Sequence, residues 1–294
     1  MQNTSPGGKA ADRTKPRKKP AKSHLGEQSI SHSDIVAFNL CELRYRMAKE
    51  GAERAEPDEF ELVGKITHKV VEKSDTASGD AVAEAEIANV SEEHRSAVEE
   101  TVATCVEVDR DNVDPDEFDV LTEKLFRWKD PETGWELVAK PDKVSRSYDD
   151  RGSEIIKVTD KKTSEYVKRR DVDQIFFFGL VIYLINSDFF GSIKLVVKKL
   201  RNKENPFSEY WFSRAKADAN LRMVRDVIRR IQKALERNRF KPTTGSHCDG
   251  CPFRGECRAY AAWQNGDRSK ERDEIMRQKS WRRPPQYGGD RKTA

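Results

Sequence analysis

Two groups of residues in this chain have types and spacings that could do chemistry. In the first, Asp142 lies near the end of one strand-like run, and Asp160, Lys161 and Lys162 directly follow the next run along the chain. Clustered carboxylate oxygens favour hard cations such as Mg²⁺ or Mn²⁺, which can clamp a phosphate and lower the pKa of a bound water. The first group therefore predicts a divalent-metal site for phosphodiester chemistry.

Cysteines make up the second group. Cys248, Cys251 and Cys257 have the spacing Cys-x2-Cys-x5-Cys near the end of the chain, and Cys41 lies near the start of the predicted folded region. Three local thiolates need a fourth ligand, so one interpretation is zinc held by four thiolates or by three with His247. Paired disulfides would be unexpected inside a cell. A centre shared with Cys41 would tie the two ends of the chain together.

Strands must position the acidic group. Three runs have strand character, and turn-rich segments separate them, which predicts an antiparallel meander. The runs are Val120–Trp128, Trp135–Val144 and Glu154–Thr159.

Pairing within that meander brings the acids together. It sets Glu123 opposite Asp142 and Asp142 opposite Asp160, with directly opposed Cβ atoms about 5 Å apart. Lys162 follows Asp160 by two residues and shares its face. Because opposed like charges destabilise a sheet unless a cation lies between them, a metal is the simplest explanation.

Helices and one further strand account for most of the remaining chain. The acidic stretch Asp75–Asp119 predicts exposed helices without chemistry, and Cys105 within it predicts a small buried apolar residue. Elsewhere, apolar periodicity predicts a helix from Ser31 or Ser33 to Met47, a helix after Pro57 that carries His68, helices Ser164–Ile185 and Ala215–Arg239, and a strand Ser192–Val197.

Composition limits the class of protein. The 294 residues are 36% hydrophobic, which is enough for a real core, and 36% charged. No secretory signal opens the sequence, and the run Ile175–Ile185 is too short to span a bilayer, so we expect an intracellular, cytoplasmic protein without a membrane partner. Residues 1–28 are basic, which predicts a disordered tail. Residues 264–294 are also basic and predict a flexible tail.

With its flanking residues, the acidic group resembles the PD-(D/E)XK nuclease superfamily, and specifically its RecB-like branch that carries an iron–sulfur cluster. The resemblance covers residues 29–263, which form the predicted nuclease domain with cluster-binding ends at Cys41 and 248–257. The matching motifs occur in family order, namely Gly64-x3-His68, Glu123, Pro141-Asp142, Asp160-Lys161-Lys162 and Gln174.

The resemblance implies an α/β fold, with a restriction-endonuclease-like core, a mixed central sheet flanked by helices, and a helical iron–sulfur subdomain built from both chain ends. It implies that His68, Asp142, Asp160 and the Lys161 carbonyl bind Mg²⁺ or Mn²⁺ and that Lys162 assists the attacking water. Glu123 and Gln174 complete the implied catalytic set. It also implies that a 4Fe–4S cluster is held by Cys41, Cys248, Cys251 and Cys257.

The implied activity is metal-dependent hydrolysis of DNA, most simply exonucleolytic on single strands or frayed ends. DNA end processing in replication, recombination or repair is the expected setting, at the nucleoid if the source is bacterial or archaeal, and a helicase or a recombination protein is a possible partner. Two alternatives stay open. One is a CRISPR-associated adaptation nuclease of the Cas-four type with an integration partner, and the other is a non-catalytic DNA-binding iron–sulfur scaffold.

Overall fold

The computed structural model describes residues 27–55, 59–73, 85–88, 90, 92–189 and 191–265. The tails predicted over 1–28 and 264–294 lie outside these ranges, except for residues 27, 28, 264 and 265. A search of the described ranges found no helix with the length and apolar character that crossing a bilayer requires.

Fifteen helices and strands of the described residues are used below, numbered in chain order. They are β1 (Ser29–Ile30), α1 (His32–Leu40), α2 (Glu42–Lys49), α3 (Glu59–Lys73), α4 (Glu92–Asp111), β2 (Phe118–Thr122), β3 (Phe126–Lys129), β4 (Glu136–Ala139), β5 (Lys143–Tyr148), β6 (Glu154–Lys162), α5 (Arg169–Ile185), β7 (Ser192–Lys199), β8 (Phe207–Phe212), α6 (Arg214–Glu236) and α7 (Arg258–Asn265).

A mixed five-stranded sheet lies at the centre, in the order β2–β5–β6–β7–β8. Only β6 and β7 run parallel, and the other neighbours are antiparallel. A parallel pair needs a crossover connection, and α5 supplies it between β6 and β7. The structure confirms the predicted mixed α/β sheet flanked by helices.

The predicted antiparallel meander is confirmed, but its first two strands are not continuous. Each breaks in two, so that β3 and β4 join β1 in a second sheet of order β1–β4–β3. At one break Glu123 has a φ of +51°, which a strand does not accommodate. At the other break Pro141 has no N–H to donate to a ladder.

Helix α5 covers one face of the central sheet at β6 and β7, and α6 packs against α5. The core there is formed mainly by α5, β7 and the apolar stripe of α6, including Val224, Ile228 and Ile231. Contact is close, because a Cβ built on Gly179 of α5 would lie 2.7 Å from Leu195 Cδ2 of β7. This layer fixes β6, the strand that carries Asp160.

Helices α3 and α4 pack together through a separate apolar cluster that includes Ile66, Val70, Val98 and Val102. The helix predicted after Pro57 is confirmed as α3. The expectation that the acidic stretch has only exposed helices is wrong for α4, since Asp109 on it is buried against lysines of the sheet. Burial is possible there because each charge meets an opposite one.

The first predicted helix is interrupted. Ser31 caps α1 through a capping box with Asp34, as expected, but Cys41 is extended and separates α1 from α2. The break turns the chain at the cysteine.

Candidate active site and cysteine cavity

Residues from distant parts of the chain meet at the end of β6. Helix α3 carries His68, the break after β2 carries Glu123, and the residue before β5 is Asp142. Strand β6 ends in Asp160, Lys161 and Lys162, and α5 contributes Gln174.

The two aspartates are tied to the groups around them. Asp142 Oδ2 accepts a hydrogen bond from the Lys161 N–H at 2.5 Å, and Asp142 Oδ1 lies 3.9 Å from His68 Nδ1. Asp160 Oδ2 lies 2.7 Å from Lys162 Nζ. Lys162 Nζ also donates to Gln174 Oε1 at 3.0 Å, so the ammonium is held between strand and helix.

Burial governs the charge states of this cluster. Burial and the charge of Asp142 raise the pKa of Asp160, and burial with the charge of Glu123 raises the pKa of Asp142. Burial, followed by the charge of Lys162, lowers the pKa of His68, which favours the neutral imidazole needed by a metal ligand. Two buried acids that resist ionising together are stabilised when a cation joins them.

One oxygen of this cluster fits a cation especially well. Asp160 Oδ2 is inaccessible to solvent and has no hydrogen bond of good geometry in the described part of the chain, although the Lys162 ammonium lies 2.7 Å away. Carboxylate and carbonyl oxygens suit Mg²⁺ or Mn²⁺. Among the described residues, no group of three or more His, Cys, Asp or Glu side chains has the arrangement needed to hold a metal ion.

Glu123 joins the cluster through the backbone as well as through its charge. Its N–H donates to the Asp142 carbonyl at 3.0 Å, which links the two strand breaks to each other. Its carboxylate forms an ion pair with Lys140. The breaks therefore place Glu123 beside Asp142, although neither residue is inside a strand.

Four cysteines line one small cavity. Cys41 lies between α1 and α2, Cys248 ends a 3-10 turn, and Cys251 and Cys257 follow in the next loop. Burial raises the pKa of Cys248, and the other three thiols add to that effect by their charge, so all four are electrostatic neighbours. The structure therefore brings the four predicted cysteines together at one cavity.

Hydrogen bonds link the segment around Cys41 to the segment around Thr243 beside this cavity. Cys41 Sγ accepts from the Thr243 N–H at 3.3 Å, and the Leu43 N–H donates to the Lys241 carbonyl at 3.4 Å. His247 Nε2 lies 2.8 Å from the Thr243 carbonyl oxygen. That contact occupies one ring nitrogen of His247. His247 is therefore a poorer ligand candidate than the four cysteines.

Cys105 is apart from this group. It is fully buried against Val71 and Leu200, and burial raises its pKa to about 12. The prediction of a small buried apolar residue is confirmed.

Comparison with known proteins decides the family. A family model described as the PD-(D/E)XK nuclease superfamily matches residues 29–258, which is most of the chain. The chain belongs to the PD-(D/E)XK nuclease superfamily. No curated protein sequence matches it.

A solved structure supports the fold of this superfamily member. The crystal structure of a protein from Eubacterium rectale described as "Putative exonuclease" matches with a TM-score of 0.51 at 13% identity, over 86% of this chain and 94% of that chain. Identity this low indicates a shared fold only. A structure described as SSO0001 matches at 15% identity over 80% and 87% of the two chains, with a TM-score of 0.35 that is too low to indicate a shared fold.

Two charged residues beside the superfamily motifs were missed by the sequence interpretation. Lys140 is paired with Glu123, and Asp109 with the Lys161 side chain. The only signal for Lys140 was its position next to Pro141-Asp142. Asp109 gave no signal, because its partner lies on a strand far along the chain.

Proposed function

We propose that this superfamily member is a Mg²⁺- or Mn²⁺-dependent nuclease that hydrolyses DNA phosphodiesters as an exonuclease on single-stranded or frayed ends. One observation carries the proposal, namely the pairing of half-buried Asp142 with buried Asp160, with the Lys162 ammonium 2.7 Å from Asp160 Oδ2. The description of the Eubacterium rectale structure supports the exonuclease mode. DNA end processing in replication, recombination or repair fits such an activity.

Each residue of the site has a proposed role. His68, Asp142, Asp160 and the Lys161 carbonyl would hold the divalent ion, which when bound supplies an acidified water and charge stabilisation at the phosphate. The Lys162 ammonium orients the attacking water and offsets charge that develops on the phosphoryl oxygens.

Two further groups position these atoms. Gln174 accepts from Lys162 Nζ at 3.0 Å and so keeps the ammonium at the pocket. Glu123, beside Asp142, would orient the attacking water or add to the ligand set.

Cleavage of end-labelled DNA tests this assignment. The wild type should degrade linear single-stranded DNA with Mn²⁺ or Mg²⁺ and spare a circular strand, because an exonuclease needs an end. Asp160→Asn and Lys162→Met should each lose at least a hundredfold in rate, as removal of transition-state electrostatics costs about 10²–10³.

The matched control is Asp150→Asn, an exposed turn acid between β5 and β6, which should cleave like the wild type. Cleavage that survives in Asp160→Asn, or that is absent from the wild type, would reject the nuclease assignment. Degradation of circular DNA would reject the exonuclease mode alone.

The cysteine cavity supports a separate part of the proposal. We propose that Cys41, Cys248, Cys251 and Cys257 hold a 4Fe–4S cluster that acts as a structural staple of the chain ends. Anaerobically purified protein should be brown, should bleach on reduction with dithionite and should contain iron and sulfide. Cys251→Ser should lose the colour and Cys105→Ala should keep it. Colourless protein with one zinc per chain would contradict the cluster.

A further inference from the structure

Lys161 lies between the two motif residues of β6 but points to the opposite face of the sheet. Side chains alternate along a strand, so Asp160 and Lys162 share the active-site face and Lys161 leaves it. On the other face, Lys161 Nζ reaches Asp109 Oδ2 of α4 at 2.7 Å. Asp109 is only 5% exposed, so this ion pair is sheltered from water.

Asp109 also holds a second lysine. Lys198 Nζ of β7 lies 2.7 Å from Asp109 Oδ1 and donates to the carbonyls of Asp109 at 2.9 Å and Asn112 at 3.1 Å. Lys161 and Lys198 are directly paired in the parallel register of β6 and β7. Like charges placed opposite each other destabilise a sheet, and Asp109 offsets both of them.

The backbone of Lys161 belongs to the active site even though its side chain does not. Its N–H donates to Asp142 Oδ2 at 2.5 Å, and its carbonyl is one of the proposed ion ligands. The ion pair that restrains the Lys161 side chain on one face of the sheet therefore also restrains the Lys161 N–H and carbonyl, which act at the other face. In metal sites, residues that orient the ligands commonly change metal affinity or activity by about 10- to 100-fold when mutated.

We propose that Asp109 of α4 is a positioning residue for the metal site, acting through its ion pair with Lys161 to fix the Lys161 backbone and, through it, the Asp142 carboxylate. The inference rests on the proposed metal-dependent nuclease function. It gives α4 a role in the chemistry, because α4 holds the end of β6 from the face of the sheet opposite the active site.

Mn²⁺ affinity, followed by the electron paramagnetic resonance signal of free Mn²⁺, is the readout that a purely structural role would not move. Asp109→Asn keeps the shape of the side chain and removes its charge, and should weaken Mn²⁺ binding about tenfold. Lys161→Met should weaken it similarly, since it loses the anchor but leaves Asp109 paired with Lys198. That second variant also tests the proposal if Asp109→Asn does not fold.

Lys198→Met is the matched control, because it removes a lysine from the same buried acid and leaves the Asp109 to Lys161 pair intact. It should lower the melting temperature but bind Mn²⁺ within twofold of the wild type. The double variant Asp109→Asn with Lys161→Met should bind no worse than Lys161→Met alone if Asp109 acts through Lys161.

Mn²⁺ affinities that are equal in the wild type, Asp109→Asn and Lys161→Met would overturn the positioning role. Equal weakening in Lys198→Met would also overturn it and assign the triad to stability alone. The nuclease function is decided separately by the cleavage assay. A wild type that binds Mn²⁺ without cutting DNA fails as a nuclease, while the comparison of affinities still decides the role of Asp109.

Discussion

The Lys162 ammonium has two partners at the active site, and the balance between them is open to experiment. Lys162 Nζ forms an ion pair with Asp160 Oδ2 at 2.7 Å and donates a hydrogen bond to Gln174 Oε1 at 3.0 Å. Gln174→Leu should leave the ammonium to Asp160 alone, away from the attacking water. We expect the single-turnover cleavage rate at saturating Mn²⁺ to fall by about tenfold, because residues that orient the functional groups of a metal site commonly change activity by about 10- to 100-fold.

Asp173→Asn on the same helix is the control, because Asp173 forms a long ion pair with Arg169 at 3.9 Å and both side chains are at least half exposed. It should cleave at the wild-type rate. A rate for Gln174→Leu equal to that of Asp173→Asn would show that Gln174 does not position Lys162.

At this scale, sequence predicts residues that share a short motif and misses those that meet only in the fold. Asp142, Asp160 and Lys162 could be placed together because hairpin pairing depends on local turns. Lys161 occupies the variable position of its motif, and its partner Asp109 comes from a helix whose docking is not encoded locally. The buried ion pair between them was therefore beyond sequence reasoning.

At the scale of elements, the turn between β3 and β4 is fixed to α6 by a buried acid. Asp130 is fully buried, accepts from Thr133 Oγ1 at 2.8 Å, and receives Arg225 Nε at 3.0 Å and Nη2 at 2.6 Å. Asp130→Asn should lower the free energy of unfolding by about 3 kcal/mol, since breaking a buried ion pair leaves an uncompensated charge. Urea denaturation at pH 7 measures it. Glu132→Gln, which is 46% exposed in the same turn, should cost under about 1 kcal/mol.

The same pair predicts a dependence on pH. Burial alone would raise the pKa of Asp130, but hydrogen bonds from Arg225 and Thr133 outweigh it and hold the pKa below its usual range. A lowered folded-state pKa adds stability above the unfolded pKa and loses it as pH falls through the folded value. The stability difference between wild type and Asp130→Asn should therefore be full at pH 7 and shrink below about pH 4. A constant difference down to pH 2 would contradict the ion pair.

Helix α5 meets β7 at a glycine, and its replacement tests how closely these elements pack. A Cβ on Gly179 would lie 2.7 Å from Leu195 Cδ2 and 3.2 Å from Phe212 Cδ2, and Leu195 is fully buried. Gly179→Ala should lower the unfolding free energy by about 1 kcal/mol, because overpacking outweighs the gain in helix propensity. In Gly64→Ala on α3, the nearest atom is 3.7 Å away, and thermal unfolding should show no loss. Stabilisation by both changes would contradict tight packing.

Element prediction succeeded where periodicity was strong and failed where tertiary contacts decide. The stripe of α6 and the apolar run of α5 identified both helices. Strand β8 was missed because its sequence, Phe-Ser-Glu-Tyr-Trp-Phe, does not alternate apolar and polar residues, and β1 has only two residues. The break of the first hairpin into two sheets was also missed, since it depends on the conformation of Glu123.

At the scale of the whole molecule, the segment 42–55 contacts the segment 241–252, although the two are far apart in sequence. Near the cavity, the Lys241 N–H donates to Glu42 Oε2 at 2.9 Å, and the Ala55 N–H donates to the Pro252 carbonyl at 2.6 Å. These contacts are few and partly exposed, so they give little stability alone. A cofactor bound by cysteines from both segments would couple the unfolding of these segments to the unfolding of the core.

Loss of the proposed cluster should therefore open both ends together and leave the sheet intact. A crosslink that closes a loop of this length stabilises by on the order of 5 kcal/mol through the unfolded chain. In Cys257→Ser, hydrogen exchange should accelerate across 42–55 and 240–257, whereas amides of the β5–β6 hairpin should keep their protection. Cys105→Ala, which removes a buried thiol outside the cavity, should leave exchange at both ends unchanged. Faster exchange at only one end, or equally across the sheet, would show that the cysteines do not staple the two ends.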